Sequence, residues 1–430
     1  MNNFLLTIDQ NTANNASGFD EVFLWTRSTK STFTGALDPH LTSFGPIRRE
    51  NIDFVRIALA VFSADRSVRR EARGADWNDR NFSVTIEVNK PAAWQRYADE
   101  LAETVGFLTG DHWNFTFTQA AEAEAVELQL NEMTPSATVL LSGGADSAAG
   151  ALLTALSLDK GANLQLVSHF SATCISPFQK DLAKRIKAAA PDIVVTPRKT
   201  TLNNTTKRLN GTSSKSEPSS RSRSLLFLSL GLASAERSGQ PLQIPENGFA
   251  SLNPPLGPER RGSLSTHTTH PRFLTDLQNV LTKVGAHGLI QNPFQHLTKG
   301  QMFSRVAAAI GRDAASEYLG ATNSCSHTDA RYSGVAPGSS CGVCFGCIVR
   351  RASFNAAGLS DPTPYLSIDS ANRYADFVQS KSIIEAMYDF TSDDPKPRMV
   401  MKMSLPRSYP PQEALVLCRA GVDELRTFLA

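Results

Sequence analysis

Residues Leu141, Ser142, Gly143, Gly144, Ala145, Asp146 and Ser147 put two adjacent glycines, an acid and two hydroxyls between the apolar run Ala137–Leu141 and an alanine-rich stretch. Glycines there let the backbone turn tightly and aim amide N–H groups inward, and the start of a helix adds positive potential. Ser142 and Ser147 can donate hydroxyl hydrogen bonds to phosphate oxygens. Asp146 would repel a bare anion, so its presence fits either a bound Mg²⁺ or a helix-capping role. The chemistry expected of this stretch is binding of a phosphate together with a metal. No lysine follows the glycines as in G-x-x-x-x-G-K-[ST], and no G-x-G-x-x-G is present.

A second constellation lies downstream. Cys325 is followed by Cys341, Cys344 and Cys347 at C-x2-C-x2-C spacing. Two-residue gaps let neighbouring thiolates reach one ion, and a fourth thiolate closes a tetrahedral site. Zinc is the first choice; an iron–sulfur cluster is the competitor, but such runs continue with a further Cys and a proline that are missing after Cys347. Four thiolates leave no open coordination position, which makes the metal structural. Cys174 and Cys418 stand alone and read as ordinary buried thiols.

Both constellations need elements to hold them. From Ala137 onward, strand-like runs at 137–141, 164–170 and 192–197 alternate with helix-like runs at 147–158, 177–189 and 224–239, the pattern of an α/β domain with a parallel sheet. The first 134 residues read as strands at 4–8, 21–25, 55–62 and 82–88 with one helix at 92–108, which describes a separate α+β domain. The mixed charges of 65–80 read as a loop. The serine-rich segment 209–224, with Lys215, Arg221 and Arg223, fits a linker or a flap near a phosphate site. Beyond Asp361, a strand is expected around 399–406 and a helix at 410–429. The domain division that follows is 1–134, 135–356 and 357–430.

The whole chain has 430 residues, 43 basic and 41 acidic side chains and a formal charge of +2. That balance gives no strong field for nucleic acid or anionic lipid. The N-terminus lacks a signal-peptide pattern and no run of about 18 apolar residues occurs, so the expected location is the cytoplasm, with no membrane partner.

The glycine stretch matches S-G-G-x-D-S, the PP-loop of the N-type ATP pyrophosphatases. With the cysteines, the chain resembles the QueC or 7-cyano-7-deazaguanine synthase family over about Ala137 to Phe354. Three further segments carry the resemblance: RSLLFLS, with Arg223 on the family arginine and Ser224 where asparagine is usual; NPFQHLTKGQM, with Lys299 on its lysine; and the cysteine ending through Arg350. The resemblance implies a HUP-like α/β PP-loop ATP pyrophosphatase fold with a four-cysteine zinc site. It implies ATP, Mg²⁺ and Zn²⁺ as cofactors, and adenylation of a 7-carboxy-7-deazaguanine-like carboxylate with pyrophosphate release. Asp146, Ser147, Lys299 and Arg223 are the expected catalytic residues.

The sequence departs from the family where Y-P-D-C-R is expected: 245–273 differs, and Glu246, Asn247, His267 and His270 are the substrate or proton-handling candidates there. Residues before the loop and after the cysteines also exceed the family's usual extent. That layout resembles the QueC-like component of bacterial anti-phage defence operons, in particular the Qat system, and implies a protein partner from the same operon. Ammonia or the N-terminal amine of such a partner is then the acyl acceptor. A tRNA-modifying PP-loop enzyme and a non-catalytic nucleotide-binding scaffold are the competing classes; the near-neutral charge opposes the first and the intact loop the second.

Overall fold

The structure is a computed structural model and describes residues 2–70, 80–121, 133–170, 174–213, 217, 220–254, 267–326, 334–368 and 374–430. The chain divides into two compact units, each made of three stretches: 1–138, 199–242 and 262–290 form the first, and 139–198, 243–261 and 291–430 the second. No helix among the described residues is long and apolar enough to cross a membrane.

In the first unit, four strands run in the order Glu21–Leu24, Asn2–Thr7, Asn81–Val88, His112–Gln119. Every neighbouring pair is parallel, with Phe4 opposite Glu21 and Val84, and Val84 opposite Phe115. This corrects the α+β expectation: a parallel sheet needs crossover helices and cover on both faces, so the unit is α/β. The cause of the misreading is 55–62. That run is part of the helix Arg49–Ser67, fourteen of whose nineteen residues are buried. The helix packs on strand Asn81–Val88 and also on helix Arg223–Ala235, and an element covered all round shows no amphipathic period. The expected helix 92–108 is two, Pro91–Arg96 and Ala98–Thr109, meeting at Tyr97.

The charged run 65–80 is also more than a loop. Its described ends enter a buried ionic network. Asp111 accepts from Arg70 at 2.7 and 2.9 Å and from Arg80 at 2.8 and 3.0 Å. Asp65 pairs with Arg80 and accepts from the Arg221 and Ser222 backbone amides at 2.9 and 3.0 Å and from the Ser222 hydroxyl at 2.7 Å. Arg221 spends its own guanidinium on the Thr109 carbonyl at 2.9 Å. Two of the serine-rich segment's residues are therefore structural ties, while Lys215 falls outside the described residues.

The second unit carries most of a five-stranded sheet in the order Ile290–Gln291, Leu242–Gln243, Ala137–Leu140, Asn163–His169, Val194–Thr200. Along the chain, the last three of these strands are separated by the helices Ala145–Ser157 and Ser176–Ala189. The strand Asn163–His169 is buried along its whole length. The C-terminal helix Pro411–Leu429 is amphipathic and packs Leu415, Cys418, Val422 and Leu425 against Ile348 and Ala352 of helix Phe345–Ala356. The strand expected at 399–406 is instead the short helix Pro397–Met401, followed by a turn.

The Asp65 network yields a stability prediction. Burial pushes the Asp65 pKa up, but Arg80 and the Ser222 donors outweigh it and hold the carboxyl below its ordinary 3.8. Removing it leaves Arg70 and Arg80 to share the single carboxylate of Asp111 and takes the acceptor from the Arg221 and Ser222 amides, so Asp65→Ala should lower unfolding free energy by about 3–5 kcal/mol. All four tryptophans (Trp25, Trp77, Trp94 and Trp113) lie in residues 1–138, so fluorescence-detected urea melts will read this unit. A group with a lowered folded pKa stabilises fully above its unfolded pKa and loses that contribution as pH falls through the folded value. The gap between parent and variant must therefore be widest at neutral pH and close in acid.

Candidate active site

The loop Leu141–Gly144 joins strand Ala137–Leu140 to helix Ala145–Ser157. Gly143 sits at φ +95°, a conformation that side chains disfavour, which accounts for glycine at that point. The two serines lock the turn. Ser147 Oγ accepts from the Ser142 amide at 3.2 Å, donates to the Gly144 carbonyl at 3.0 Å and lies 2.9 Å from Ser142 Oγ. Two residues that the sequence did not flag brace the loop from outside: Gln179 Nε2 donates to the Ser142 carbonyl at 3.1 Å, and the Asn323 amide donates to the Gly143 carbonyl at 3.0 Å.

Gly144 is the N-cap of the helix and no side chain caps it. The first-turn amides therefore keep their donors, and with the helix dipole they form an address for an anion. Asp146 does not serve as the cap. Its Oδ2 lies 2.7 Å from Lys299 Nζ, and its Oδ1 accepts from Asn247 Nδ2 at 3.1 Å. Asp146 and Lys299 are both buried. A buried ion pair of this kind is kept by its geometry and by further hydrogen bonds. Asn247 supplies one of these, and it also donates to Glu246 Oε1 at 3.2 Å and caps helix Gly248–Leu252 through Oδ1. Desolvation, then the Asp146 charge, raises the Glu246 pKa well above the usual carboxylate range, against the pull of Lys299. Asn292 fixes the Glu246 backbone with bonds of 2.8 and 3.3 Å.

Lys299 is held by a part of the chain in which no chemistry was expected. It opens helix Lys299–Ile310, whose N-cap Thr298 forms a reciprocal capping box with Gln301. Glu424 of the C-terminal helix accepts from the Thr298 hydroxyl and, at 3.2 Å, from the Gly300 amide. A Cβ on Gly300 would stand 2.5 Å from Glu424 Oε1, so glycine permits the approach. The C-terminal helix thus positions Lys299.

Arg223, His267 and His270 belong to the first unit. Arg223 starts helix Arg223–Ala235, where burial and then Arg66 lower its pKa. His270 caps helix Pro271–Val284 by accepting from the Arg272 amide at 3.2 Å. His267 stacks on Phe107 at 4.3 Å between centroids, donates from Nδ1 to the Phe107 carbonyl at 2.9 Å, and has its pKa lowered by burial. Both histidines have structural partners.

The four cysteines converge. The sulfurs of Cys325, Cys341, Cys344 and Cys347 all lie within 4.8 Å of one another, and all four residues are buried. Cys325 to Cys344 and Cys341 to Cys347 are each 3.9 Å. Four ligands at about 2.3 Å around one tetrahedral ion stand about 3.8 Å apart, so the donor set fits a single ion such as zinc. An iron–sulfur cube would push its thiolates farther apart. Gly346 lets helix Phe345–Ala356 meet the Cys325 segment, since a Cβ there would lie 2.1 Å from the Ser324 carbonyl oxygen.

No family model matches the chain, and no solved structure matches it. Curated relatives do. A protein of Novosphingobium aromaticivorans is 37% identical over 150 residues, 33% of this chain and 54% of the relative. One of Magnetococcus marinus is 33% identical over 150 residues, 33% of this chain and 55% of the relative. The chain thus spans about half the length of these two. A protein of Psychrobacter cryohalolentis is 30% identical over 276 residues, covering 58% of this chain and 97% of the relative. All three carry the name 7-cyano-7-deazaguanine synthase. With nearly the full length of one such relative matched, and a glycine loop and four convergent cysteines in the folded chain, the protein belongs to the 7-cyano-7-deazaguanine synthase family.

Proposed function

We propose that the chain is an ATP-dependent carbon–nitrogen ligase, which adenylates a 7-carboxy-7-deazaguanine-like carboxylate and passes the acyl group to an amine. The observation that carries this reading is the buried Asp146–Lys299 pair in the first turn of an uncapped helix that follows a serine-locked glycine loop. The loop amides and Ser142 and Ser147 hold the phosphates of ATP. A carboxylate oxygen of the substrate attacks the α-phosphorus, the bond to the bridging oxygen breaks, and pyrophosphate leaves with the electron pair. Lys299 faces the charge that develops on the departing group. Asn247 fixes the Asp146 carboxylate, and Glu246, held neutral at rest, supplies a proton-bearing oxygen beside it. An amine then attacks the acyl carbon of the mixed anhydride, loses a proton and releases AMP.

Asp146 offers a carboxylate oxygen of the kind Mg²⁺ takes, and a bound Mg²⁺ would neutralise phosphate charge. The four cysteines would hold Zn²⁺ in a closed, structural role. Arg223 remains a proposed phosphate contact on the strength of the family segment. The acceptor we favour is the N-terminal amine of a partner protein. The match that covers 97% of the Psychrobacter relative takes up 58% of this chain, and the first unit has a parallel sheet of its own for such a partner. We place the reaction in bacterial anti-phage defence on the layout of the chain. Ammonia as acceptor is the alternative outcome.

Incubation with ATP, Mg²⁺ and 7-carboxy-7-deazaguanine should release pyrophosphate. A mass increase on an operon-neighbour protein would identify a base–protein ligase, a small-molecule amide or nitrile would identify ammonia as acceptor, and no turnover with either would defeat the enzymatic reading. Asp146→Ala should abolish pyrophosphate release with bound zinc unchanged, and Lys299→Ala should slow release by about 100-fold. Cys344→Ser should do the opposite in kind, losing zinc by metal analysis and lowering the melting temperature. Glu246 gives a pH signature: a carboxyl with a raised folded pKa costs stability as pH climbs from its unfolded value through the folded one. Glu246→Gln removes that cost, so its melting temperature should match the parent near pH 4 and exceed it increasingly toward pH 8; a constant offset would contradict the neutral carboxyl.

A further inference from the structure

A cavity of about 520 Å³ opens in the second unit beside the loop, within the range of about 300–1,000 Å³ that small-molecule sites occupy. It shares its wall with the loop. Asn323, whose amide bonds the Gly143 carbonyl, lines it, and so does Phe178, whose Cβ would lie 3.6 Å from a Cβ on Gly143. The Phe178 ring then crosses to Gly338 on the far side, 3.3 Å from where a Cβ would stand there. Tyr365 forms part of the lining; its hydroxyl is tied to Asp361 at 2.6 Å and its side chain packs on the cysteine cluster.

The lining chemistry is specific. None of the twelve lining residues carries a charge, so the cavity is no place for a phosphate or a carboxylate. It offers two aromatic rings, apolar Leu366 and Pro364, and a set of hydroxyls. The Ser339 and Ser340 hydroxyls have no hydrogen-bond partner among the described residues, and Thr363 Oγ1, which accepts from Arg350 at 2.7 Å, keeps its own proton to donate. Rings for a face and hydroxyls for an edge match a flat, uncharged nitrogen heterocycle. A lipid chain would leave the hydroxyls unsatisfied, and an anion would find no counter-charge.

Building on the ATP-dependent reading above, we infer that this cavity holds the fused heterocyclic base of one of the two reactants, with that reactant's charged groups directed to the neighbouring loop. Adenine of ATP and the deazaguanine of the acyl substrate share the required chemistry, and the test separates them. Ser339→Trp fills the cavity from a residue that makes no side-chain hydrogen bond among the described residues, and Phe178→Leu removes one ring while keeping an apolar wall. Calorimetric titration of the full chain with ATP–Mg²⁺ and with 7-carboxy-7-deazaguanine gives the readout, with Ser339→Ala as the conservative control.

The expected result is a loss of about tenfold or more in affinity for one ligand in Ser339→Trp, a smaller loss for the same ligand in Phe178→Leu, and at most the few-fold loss of one hydrogen bond in Ser339→Ala. Weakened ATP assigns adenine to the cavity, and weakened 7-carboxy-7-deazaguanine assigns the substrate base. Should Ser339→Trp fail to fold, Phe178→Leu alone decides by the same criterion. Unchanged affinity for both ligands in variants that melt like the parent overturns the inference and leaves the ATP-dependent reading standing. A parent that binds neither ligand overturns both.

Discussion

The contact between Asp146 and Lys299 organises the second unit. It lies in surroundings where an unpartnered charge would cost several kcal/mol, so neither side chain can be misplaced without stranding the other. It fastens the first turn of the loop helix to the first turn of helix Lys299–Ile310. Around it, Asn247 satisfies the second Asp146 oxygen, and burial and the Asp146 charge raise the Glu246 pKa. Two ionised carboxyls beside one ammonium would carry net negative charge at the N-terminus of helix Ala145–Ser157. The raised Glu246 pKa works against that excess, and the uncapped first-turn amides keep their donors.

What the sequence disclosed and what it hid divide along physical lines. The glycine loop and the cysteines were legible because their chemistry depends on residues adjacent or nearly adjacent in the chain. Lys299 could be found only through a family segment, since nothing in its own surroundings marks it as a partner of Asp146. Gln179, Asn323 and Glu424 were missed because they act by single hydrogen bonds from distant segments, and a lone Gln, Asn or Glu has no local pattern. Glu246 and Asn247 were visible only as a polar pair after a strand end, and His267 and His270, flagged on type alone, turned out to stack and cap.

The same logic explains the fold errors. Residues 55–62 read as a strand because burial on every side erases helical periodicity, and strand His112–Gln119 was overlooked although it alternates buried and exposed residues along most of its length. Asp65, Arg70 and Arg80 of the ionic network read as loop charge because opposite charges scattered over a linear stretch look the same whether solvent or fold neutralises them. In this fold burial and pairing go together: these side chains are nearly inaccessible, and each meets its counter-charge.

The clamp of Glu424 on Thr298 joins residues 126 positions apart. During translation, the helix that carries Lys299 therefore leaves the ribosome long before the side chain that fixes its first turn has been made. Strand, glycine loop and cysteines all precede that helix in the chain, and the lysine gains this support only when the helix Pro411–Leu429 docks. Order of synthesis thus sets an order of assembly: the first turn of helix Lys299–Ile310 is clamped only when helix Pro411–Leu429 has been made and docked.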